Sequence, residues 1–278
     1  MPYKPNNLIF LKFIMIIVLS PAKSLNFTNH ALLVKELALT SPEFFDDANY
    51  LAKHLSQFSS SELSKLMNIS MKLAELNYAT FQNWQQKFDL TESRQALLAF
   101  DGDVYTGLQA ATLSNSSLQF AQKHLRILSG IYGVLKPFDQ IQAYRLEMGL
   151  NIKIDNFSSL YDFWQKKVSY FLNQTIKNLL GENQSPILIN LASNEYFKAI
   201  NLKQLNASVI TPVFEDFKGN DFKIISFYAK RARGLMARYI LENKIVEPNY
   251  IKEFSKEGYC FDSAASTKLR WVFRRHIN

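Results

Sequence analysis

The sequence predicts a single mixed α/β (α+β) domain in which helices surround a central mixed sheet. Short apolar runs of β-prone residues, such as 15–19 and 186–191, alternate with longer segments of helical periodicity. The 278 residues are 47% hydrophobic and 14% aromatic, which is enough apolar surface for a sizeable core. No internal repeat, low-complexity tract or linker divides the chain. We therefore expect residues 15–278 to form one integrated domain.

The charge balance favours an anionic partner. Thirty-two Lys and Arg residues against 24 Asp and Glu give a net charge of +8, which permits nucleic-acid binding without requiring it. The single cysteine, Cys260, excludes an internal disulfide and suits a reducing cytoplasm. The histidines lie far apart in the sequence, at His30, His54, His124 and His276. Because they lack ligand spacing, we expect no zinc or di-iron site and no cofactor.

The first 14 residues are predicted to be a dispensable leader. Residues 8–19 are apolar apart from Lys12 and faintly resemble a signal peptide, but they are too few to cross a bilayer. Against export, residues 15–19 are typical of a first core strand, and Met15 is an alternative translation start. The prediction is a cytoplasmic protein with no membrane partner.

Residues 40–43 have the cap, proline and acid of a helix start, and helical patterns follow to residue 84. Residues 96–100 then form a compact strand-like run. Asp101, Asp103 and Tyr105 come directly after it. Two carboxylates at a strand end could perform acid/base chemistry or bind a metal. They could equally cap the next helix and close a turn, and both interpretations stay open.

Residues 118–128 have a helical pattern, although 124–128 can also form a strand. Gly130 and Gly133 bracket a turn that is followed by Lys136. A helix, a glycine hairpin and a further element give the outline of a helix-hairpin-helix, which holds nucleic-acid phosphates with backbone N–H groups. The usual glycine spacing is one residue shorter, so a plain glycine turn is the favoured alternative.

The second half predicts a helix over residues 158–180 that ends at Gly181, then a strand from 186. That strand has a polar exit with Asn190, Ser193, Glu195 and Lys198, although Ser193 could simply cap the following helix. Residues 209–217 and 222–227 are expected to form an antiparallel hairpin. Residues 268–275 alternate partly, as an edge strand does, and add four cations.

The stretch from 221 to 238 is a predicted strand that leads into a basic helix. Helical projection puts its cations on one face, with Gly234 among them. No Asp or Glu occurs between Asp221 and Glu242, whereas a merely soluble helix normally mixes both signs. This pattern favours an anion-binding face over a solvated surface.

Several motifs together resemble one family. They are Ser20-Pro-Ala-Lys23, Gly102-Asp-Val-Tyr-Thr-Gly-Leu108, Leu128-Ser-Gly-Ile-Tyr-Gly-Val-Leu135, Tyr144-Arg-Leu-Glu-Met-Gly149, Asn190-Leu-Ala-Ser193, Glu195-Tyr-Phe-Lys198, Phe222-Lys-Ile-Ile-Ser-Phe-Tyr-Ala-Lys230 and Ala232-Arg-Gly234. In this order and spacing the chain from Met15 onward resembles the YaaA family of bacterial peroxide-stress proteins. The resemblance implies a cytoplasmic protein that limits hydrogen peroxide damage to DNA and protein by keeping unincorporated iron low. It also implies an unusual mixed α/β fold with a basic cleft that binds DNA.

Two functions from different classes follow. The first is a binder of double-stranded, irregular or single-stranded DNA, mainly through phosphates and without an obligate protein partner. Its candidate residues are Lys23, Arg126, Gly130, Gly133, Lys136, Arg145, Lys198, Lys230, Arg231, Arg233 and Arg238. The alternative is an enzyme acting on a nucleotide or damaged nucleic acid. Its candidate catalytic residues are Asp101, Asp103, Glu147, Ser193 and Glu195.

Overall fold

The computed structural model describes residues 12–27, 39–87, 93–182 and 184–276. Of the predicted leader, residues 1–11 lie outside these ranges, as does His30. Lys12 to Ile14 belong to the first strand and pair with residues 184–186. The strand thus begins three residues before Met15, and the boundary of the domain at Met15 stays a prediction.

A mostly parallel mixed sheet forms the centre of the fold. Its strands are β1 (Lys12–Leu19), β5 (Leu125–Ser129), β6 (Gly133–Leu135), β8 (Gln184–Leu191), β9 (Ser208–Lys218), β10 (Asp221–Lys223), β11 (Cys260–Asp262) and β12 (Arg270–His276). The order is β11-β12-β9-β8-β1-β5-β6, and β10 pairs with β9. The pairs of β1 with β5, β1 with β8, β8 with β9 and β9 with β12 are parallel. This arrangement confirms the predicted mixed α/β class.

Helices and two small ribbons surround the sheet. The helices are α1 (Phe45–Leu55), α2 (Ser60–Met67), α3 (Met71–Gln82), α4 (Ala96–Ala99), α5 (Asp103–Leu108), α6 (Asn115–His124), α7 (Leu160–Leu179), α8 (Asn194–Phe197) and α9 (Ser226–Glu242). The ribbons pair β2 (Ser24–Leu25) with β4 (Phe100–Asp101) and β3 (Arg94–Gln95) with β7 (Gln140–Ile141). Within the described ranges, no helix combines the length and apolar character needed to cross a membrane.

The core is centred on β1, which lies between β5 and β8. Its residues from Met15 to Leu19 are fully buried, as expected of a parallel strand covered on both faces. The long helix α7 begins after Ser159, whose Oγ accepts a hydrogen bond from the Asp162 N–H at 3.2 Å. It buries Trp164 in the core, where the indole N–H donates to the Gly130 carbonyl at 2.8 Å.

Several predicted elements are confirmed, and others need correction. The helix before Gly181 and the strand after it form as predicted. The β9–β10 hairpin also forms, but its second strand ends at Lys223 and not at residue 227, because α9 already begins at Ser226. The strand expected at 96–100 is wrong, because the four residues of α4 are helical and only Phe100 and Asp101 are extended. The edge position expected for 268–275 is also wrong, since β12 lies between β11 and β9.

The helix-hairpin-helix interpretation of Gly130 and Gly133 is wrong, and the plain glycine turn is correct. The turn joins two antiparallel strands, β5 and β6, and its residues are buried. A Cβ on Gly130 would lie 2.0 Å from the Leu146 carbonyl oxygen. Gly133 has φ of +67°, and a Cβ there would lie 2.6 Å from the Trp164 ring. The two glycines therefore permit close packing inside the core and are not presented to a phosphate.

Candidate functional site

The topology of the sheet creates a crevice at the carboxyl ends of β1 and β8. These neighbours are parallel, yet the chain proceeds from β1 to β5 on one side and from β8 to β9 on the other. Such a switch point is where open α/β sheets bind ligands. Ser20 and Ser193 fasten the two exits together, since the Ser193 N–H donates to the Ser20 Oγ at 2.8 Å.

A cavity of about 320 Å³ opens at this point. Its walls come from residues 20–24 after β1, residues 101–105 at the start of α5, the segment around α8 and the amino-terminal half of α9. We call it the strand-exit cavity. It brings together polar groups that are far apart in the sequence, among them Lys23, Asp101, Asp103, Ser193 and Glu195, whereas Glu147 and Asn190 lie outside its lining.

Two cations of α9 line the strand-exit cavity. Lys230 is exposed and Arg233 is half-buried, and they share one helix face because they are three residues apart. Across the described ranges, neither side chain has a hydrogen-bond or ion-pair partner. Burial lowers the pKa of the Arg233 guanidinium, because a charge removed from water is less stable. We call Lys230 and Arg233 the α9 cation pair.

Acidic side chains line the same cavity. Asp101 is exposed at the end of β4, and Asp103 is the half-buried first residue of α5. In the part of the chain that the structure describes, neither carboxylate has a hydrogen-bond or ion-pair partner. We call them the exit acids. Glu195 is already engaged, because its Oε1 accepts a hydrogen bond from the Gly149 N–H at 3.1 Å.

Two glycines set the position of α5 against α9. A Cβ on Gly234 would lie 1.8 Å from the Val104 carbonyl oxygen, and a Cβ on Gly107 would lie 2.3 Å from the Arg231 carbonyl oxygen. The two helices thus touch backbone to backbone, which no larger residue would allow. The contact holds Asp103 and the α9 cation pair in fixed positions around one cavity.

Two tyrosines, Tyr105 and Tyr196, complete the wall of the cavity. Buried Tyr105 donates its hydroxyl proton to the Ser20 carbonyl at 3.0 Å. Burial raises the pKa of Tyr105 and of Tyr196, the neighbouring Tyr144 raises both further, and Glu195 also raises the pKa of Tyr196. Both phenols therefore stay neutral at physiological pH, and neither is suited to act as a general base. Sequence reasoning passed over Tyr196, although it follows directly after the predicted strand exit.

A second cluster adjoins the cavity through Lys23, which lines both spaces. Its Nζ lies 3.3 Å from Glu147 Oε1, and Arg145 donates to the same oxygen at 2.8 Å. The other oxygen of Glu147 and the Nε of Arg145 are buried without a hydrogen-bond partner in the described structure. Lys23, Arg145 and Glu147 are thus near the cavity, but they largely neutralise one another.

Of the remaining candidates, Ser193 lines the cavity, whereas Lys198, Lys136 and Arg126 lie outside its lining. Ser193 both lines the cavity and caps α8, because its Oγ accepts from the Tyr196 N–H at 3.5 Å. Lys198 is exposed beyond the lining, and Lys136 lies 3.6 Å from Asp139. Arg126 is buried and donates to the carbonyls of Gln122 and Leu125, and burial lowers its pKa to about 10. The expected phosphate contact of Arg126 therefore needs correction, since it serves the core.

The expectation that all cations of α9 lack acidic partners is wrong for two of them. Arg231 donates from Nε and Nη2 to Glu257 at 2.8 and 2.6 Å. Arg238 donates to the carbonyls of Leu108 and Gln109 and pairs with Glu242 at 2.7 Å. Glu257 is distant from Arg231 in sequence, so the sequence of α9 alone does not indicate this partner. In the described ranges, no group of three or more His, Cys, Asp or Glu residues is placed to hold a metal.

Comparison with known proteins gives a consistent result. The family whose description is "peroxide stress protein YaaA" matches residues 15–265. UPF0246 protein RSc2009 of Ralstonia nicotianae is 51% identical over 261 residues, which is 94% of this chain and 99% of that protein. UPF0246 proteins of Burkholderia cenocepacia (Bcen2424_2223) and Cupriavidus pinatubonensis (Reut_A1014) are 48% and 49% identical over 263 residues, or 95% of this chain and 99% of each relative.

Proposed function

The chain belongs to the YaaA family of peroxide stress proteins, and on that premise we propose that it acts in peroxide stress by binding DNA through phosphates. The observation that carries the proposal is the α9 cation pair in a concave site at the sheet's carboxyl edge. Lys and Arg side chains bind nucleic acids chiefly by neutralising the backbone phosphates. This role belongs in the cytoplasm, where the free Cys260 is compatible with reducing conditions.

The proposed DNA-binding cleft extends beyond the strand-exit cavity. A second cavity of about 470 Å³ lies beside the exit of β8 and the first half of β9, and Arg233 lines both spaces. Arg270 lines the second cavity and pairs with Glu215, and Lys23 lines the first cavity and pairs with Glu147. A DNA backbone running between them would pass the α9 cation pair. Contacts of this kind carry no base identity, so we expect little sequence preference.

The decisive test compares two variants that lose the same charge. We expect Lys230→Gln/Arg233→Gln to weaken binding of duplex DNA about 10- to 100-fold. The slope of log affinity against log salt should fall by about 2, because two phosphate contacts are lost. The measurement is fluorescence anisotropy over a salt series. The control, Lys166→Gln/Lys177→Gln, removes two exposed lysines of α7 that do not line either cavity. Equal slopes for the two variants would rule out the proposed interface.

The link to iron rests on the family resemblance alone. We propose that the protein lowers unincorporated iron during peroxide stress, so that less iron is available to generate damage on DNA and protein. The test is electron paramagnetic resonance of chelatable iron in cells that lack the gene and are complemented with either variant. Restoration by the α7 control but not by Lys230→Gln/Arg233→Gln would connect the iron effect to the cleft. If both variants restored the low iron level equally, the iron effect would not depend on the cleft.

An enzyme acting on a nucleotide or damaged nucleic acid is the second candidate. The observation that favours it is the convergence of the exit acids, Ser193 and Glu195 on one cavity. The test is turnover of a nucleotide library and of damaged oligonucleotides, with and without divalent metals. Activity that disappears in Asp103→Ala/Glu195→Ala would establish it. No turnover under any metal condition would eliminate it.

A further inference from the structure

We propose that the strand-exit cavity binds one unpaired guanine nucleotide, with its phosphate on the α9 cation pair and its base on Asp103. The inference rests on the proposed function, because it specifies which unit of a nucleic acid the same site receives. The shared chemistry is a guanosine phosphate unit. Its source is either a nucleotide that is unstacked from DNA or a free mononucleotide.

The size of the cavity sets the first limit. About 320 Å³ lies at the lower end of the range for sites that enclose a small ligand. A base pair held within a duplex cannot enter such a space, whereas one nucleotide turned out of the stack can. Turning out a base is least costly where the base is already unpaired. The cavity therefore favours a single unpaired nucleotide over an intact duplex.

The charges set the second limit. The α9 cation pair and the exit acids line one cavity, yet among the described residues none of these four side chains forms an ion pair. A ligand that satisfies the site must therefore bring an anion for the cations and hydrogen-bond donors for the carboxylates. A bare phosphate meets only the first need. A nucleotide meets both, since its phosphate and the N–H groups of its base lie at opposite ends.

The chemistry of a carboxylate selects among the bases. An ionised carboxylate only accepts hydrogen bonds. The Watson–Crick edge of guanine presents two adjacent donors, the N1–H and the N2 amino group, which match the two oxygens of a carboxylate. Thymine places its one N–H between two carbonyl oxygens, and adenine and cytosine set a single amino group beside a ring acceptor. Each of those edges would repel one oxygen of Asp103.

The packing of α5 on α9 makes the site rigid before a ligand arrives. Because Gly107 and Gly234 bring the two helices into backbone contact, the backbone of Asp103 is held in position relative to the backbone of α9 that carries the α9 cation pair. A preorganised pair of anchors loses little conformational freedom on binding.

The experiment compares short DNA duplexes that differ at one unpaired nucleotide. We expect wild-type protein to bind a duplex with one unpaired dG about tenfold more tightly than one with unpaired dT, since a good bidentate contact discriminates by about that factor. Asp103→Asn should abolish the preference for unpaired dG over unpaired dT. Asp46→Asn, which removes an exposed carboxylate from α1, should retain the preference. A parallel titration with dGMP and dTMP tests the free nucleotide.

Each outcome decides between the inference and its premise. A dG preference that depends on Asp103 supports the inference, in DNA or in the free nucleotide according to the arm in which it appears. Absence of preference in both arms, or its persistence in Asp103→Asn, overturns it. In that case, duplex binding that depends on the α9 cation pair would still support the proposed function. Selective dGMP binding without duplex binding would overturn DNA binding and leave the nucleotide site.

Discussion

The α9 cation pair contrasts with the arginines of β12, although both groups are basic runs in the sequence. Arg270 and Arg274 bind Glu215 at 3.0 and 2.9 Å, and Arg274 also binds Asp262 at 2.8 Å. Arg275 pairs with Asp216 and covers the rings of Tyr228 and Tyr259. The β12 arginines are therefore neutralised within the fold. Arginines are paired with acids in one place, whereas in the other place Arg233 lines a cavity and has no ion-pair partner among the described residues.

The origin of the difference is the strand register. β12 runs parallel to β9 with Arg274 opposite Glu215 and Arg275 opposite Asp216. Cross-strand neighbours of opposite charge stabilise a sheet, so the β12 arginines find acids wherever β9 supplies them. The α9 cation pair faces the strand-exit cavity, and the exit acids that line the same cavity lie beyond ion-pair distance of it. The predictions on Arg275, Arg238 and Glu257 test whether cations that are paired with acids stabilise the fold and whether cations that line the cavity bind DNA.

The largest effect on stability is expected for Arg275→Gln. Asp216 is fully buried at 0% exposure and also accepts from the Tyr259 hydroxyl at 2.9 Å. Removing the guanidinium leaves a buried carboxylate with no cation, which typically costs about 3–5 kcal/mol. Urea denaturation would measure the loss, and the folded fraction should still bind DNA with wild-type affinity. A loss below about 1 kcal/mol would contradict the structural role of this pair.

A smaller loss is expected for Arg238→Gln, a residue that sequence reasoning assigned to DNA. Its guanidinium holds the carbonyls of Leu108 and Gln109, each at 3.0 Å, at the carboxyl end of α5. Hydrogen bonds from a charged donor contribute about 1.5–3 kcal/mol, so unfolding free energy should fall by about that amount. DNA affinity and its salt slope should stay unchanged. A reduced slope would move Arg238 into the interface.

The sequence predicts the location of the site better than its chemistry. Apolar runs that end in polar residues mark the carboxyl ends of β1 and β8, and parallel strands necessarily bring such ends to one edge. Helix α7 is also predictable, because its periodic pattern is long and Gly181 follows it. For the four residues of α4 the sequence predicts a strand, which is wrong, because a short apolar run does not distinguish a strand from a helix.

Long-range partners account for most of what sequence reasoning missed. Arg231 is 26 residues from Glu257, and Arg275 is 59 residues from Asp216. No local pattern shows that one set of cations meets acids and another set faces a cavity. Gly234 likewise resembled a member of the cation face, but its missing side chain is required by the backbone of α5. Close contacts between distant segments depend on the tertiary fold.

The comparison of charged groups extends to His124, whose protonated form is disfavoured by burial in the core. His124 is buried, and its Nδ1 lies 2.8 Å from the Met15 carbonyl. Burial lowers its pKa, the hydrogen bond opposes this, and the charges of Arg126 and Lys123 lower it further. The unfolded chain therefore binds more protons once the pH falls below about 6.5, and stability falls by up to about 1.4 kcal/mol per pH unit until the folded pKa is reached.

The control for this pH dependence is His124→Asn, which keeps an N–H donor for Met15 but does not titrate. Its stability in urea should change less between pH 7 and pH 5 than that of the wild type. An identical slope for the two proteins would assign the acid sensitivity to other groups. The α9 cation pair should contribute nothing to it, so Arg233→Gln is expected to show the wild-type slope.

The smallest effect on stability is expected for Glu257→Gln. This substitution tests whether a cation that is paired with an acid can bind DNA once the acid is removed. Glu257 holds Arg231 at the protein surface, and both side chains are about one-third exposed at 34% and 32%. Exposed ion pairs contribute about 0–1 kcal/mol, so unfolding should change little. Arg231 adjoins Lys230 on α9, and its release adds one cation beside the proposed interface. We expect duplex affinity to rise severalfold and the salt slope to steepen by about 0.9, the amount for one further phosphate. An unchanged slope would mean that position on the cavity wall, and not freedom from an acid, decides which cations of α9 bind.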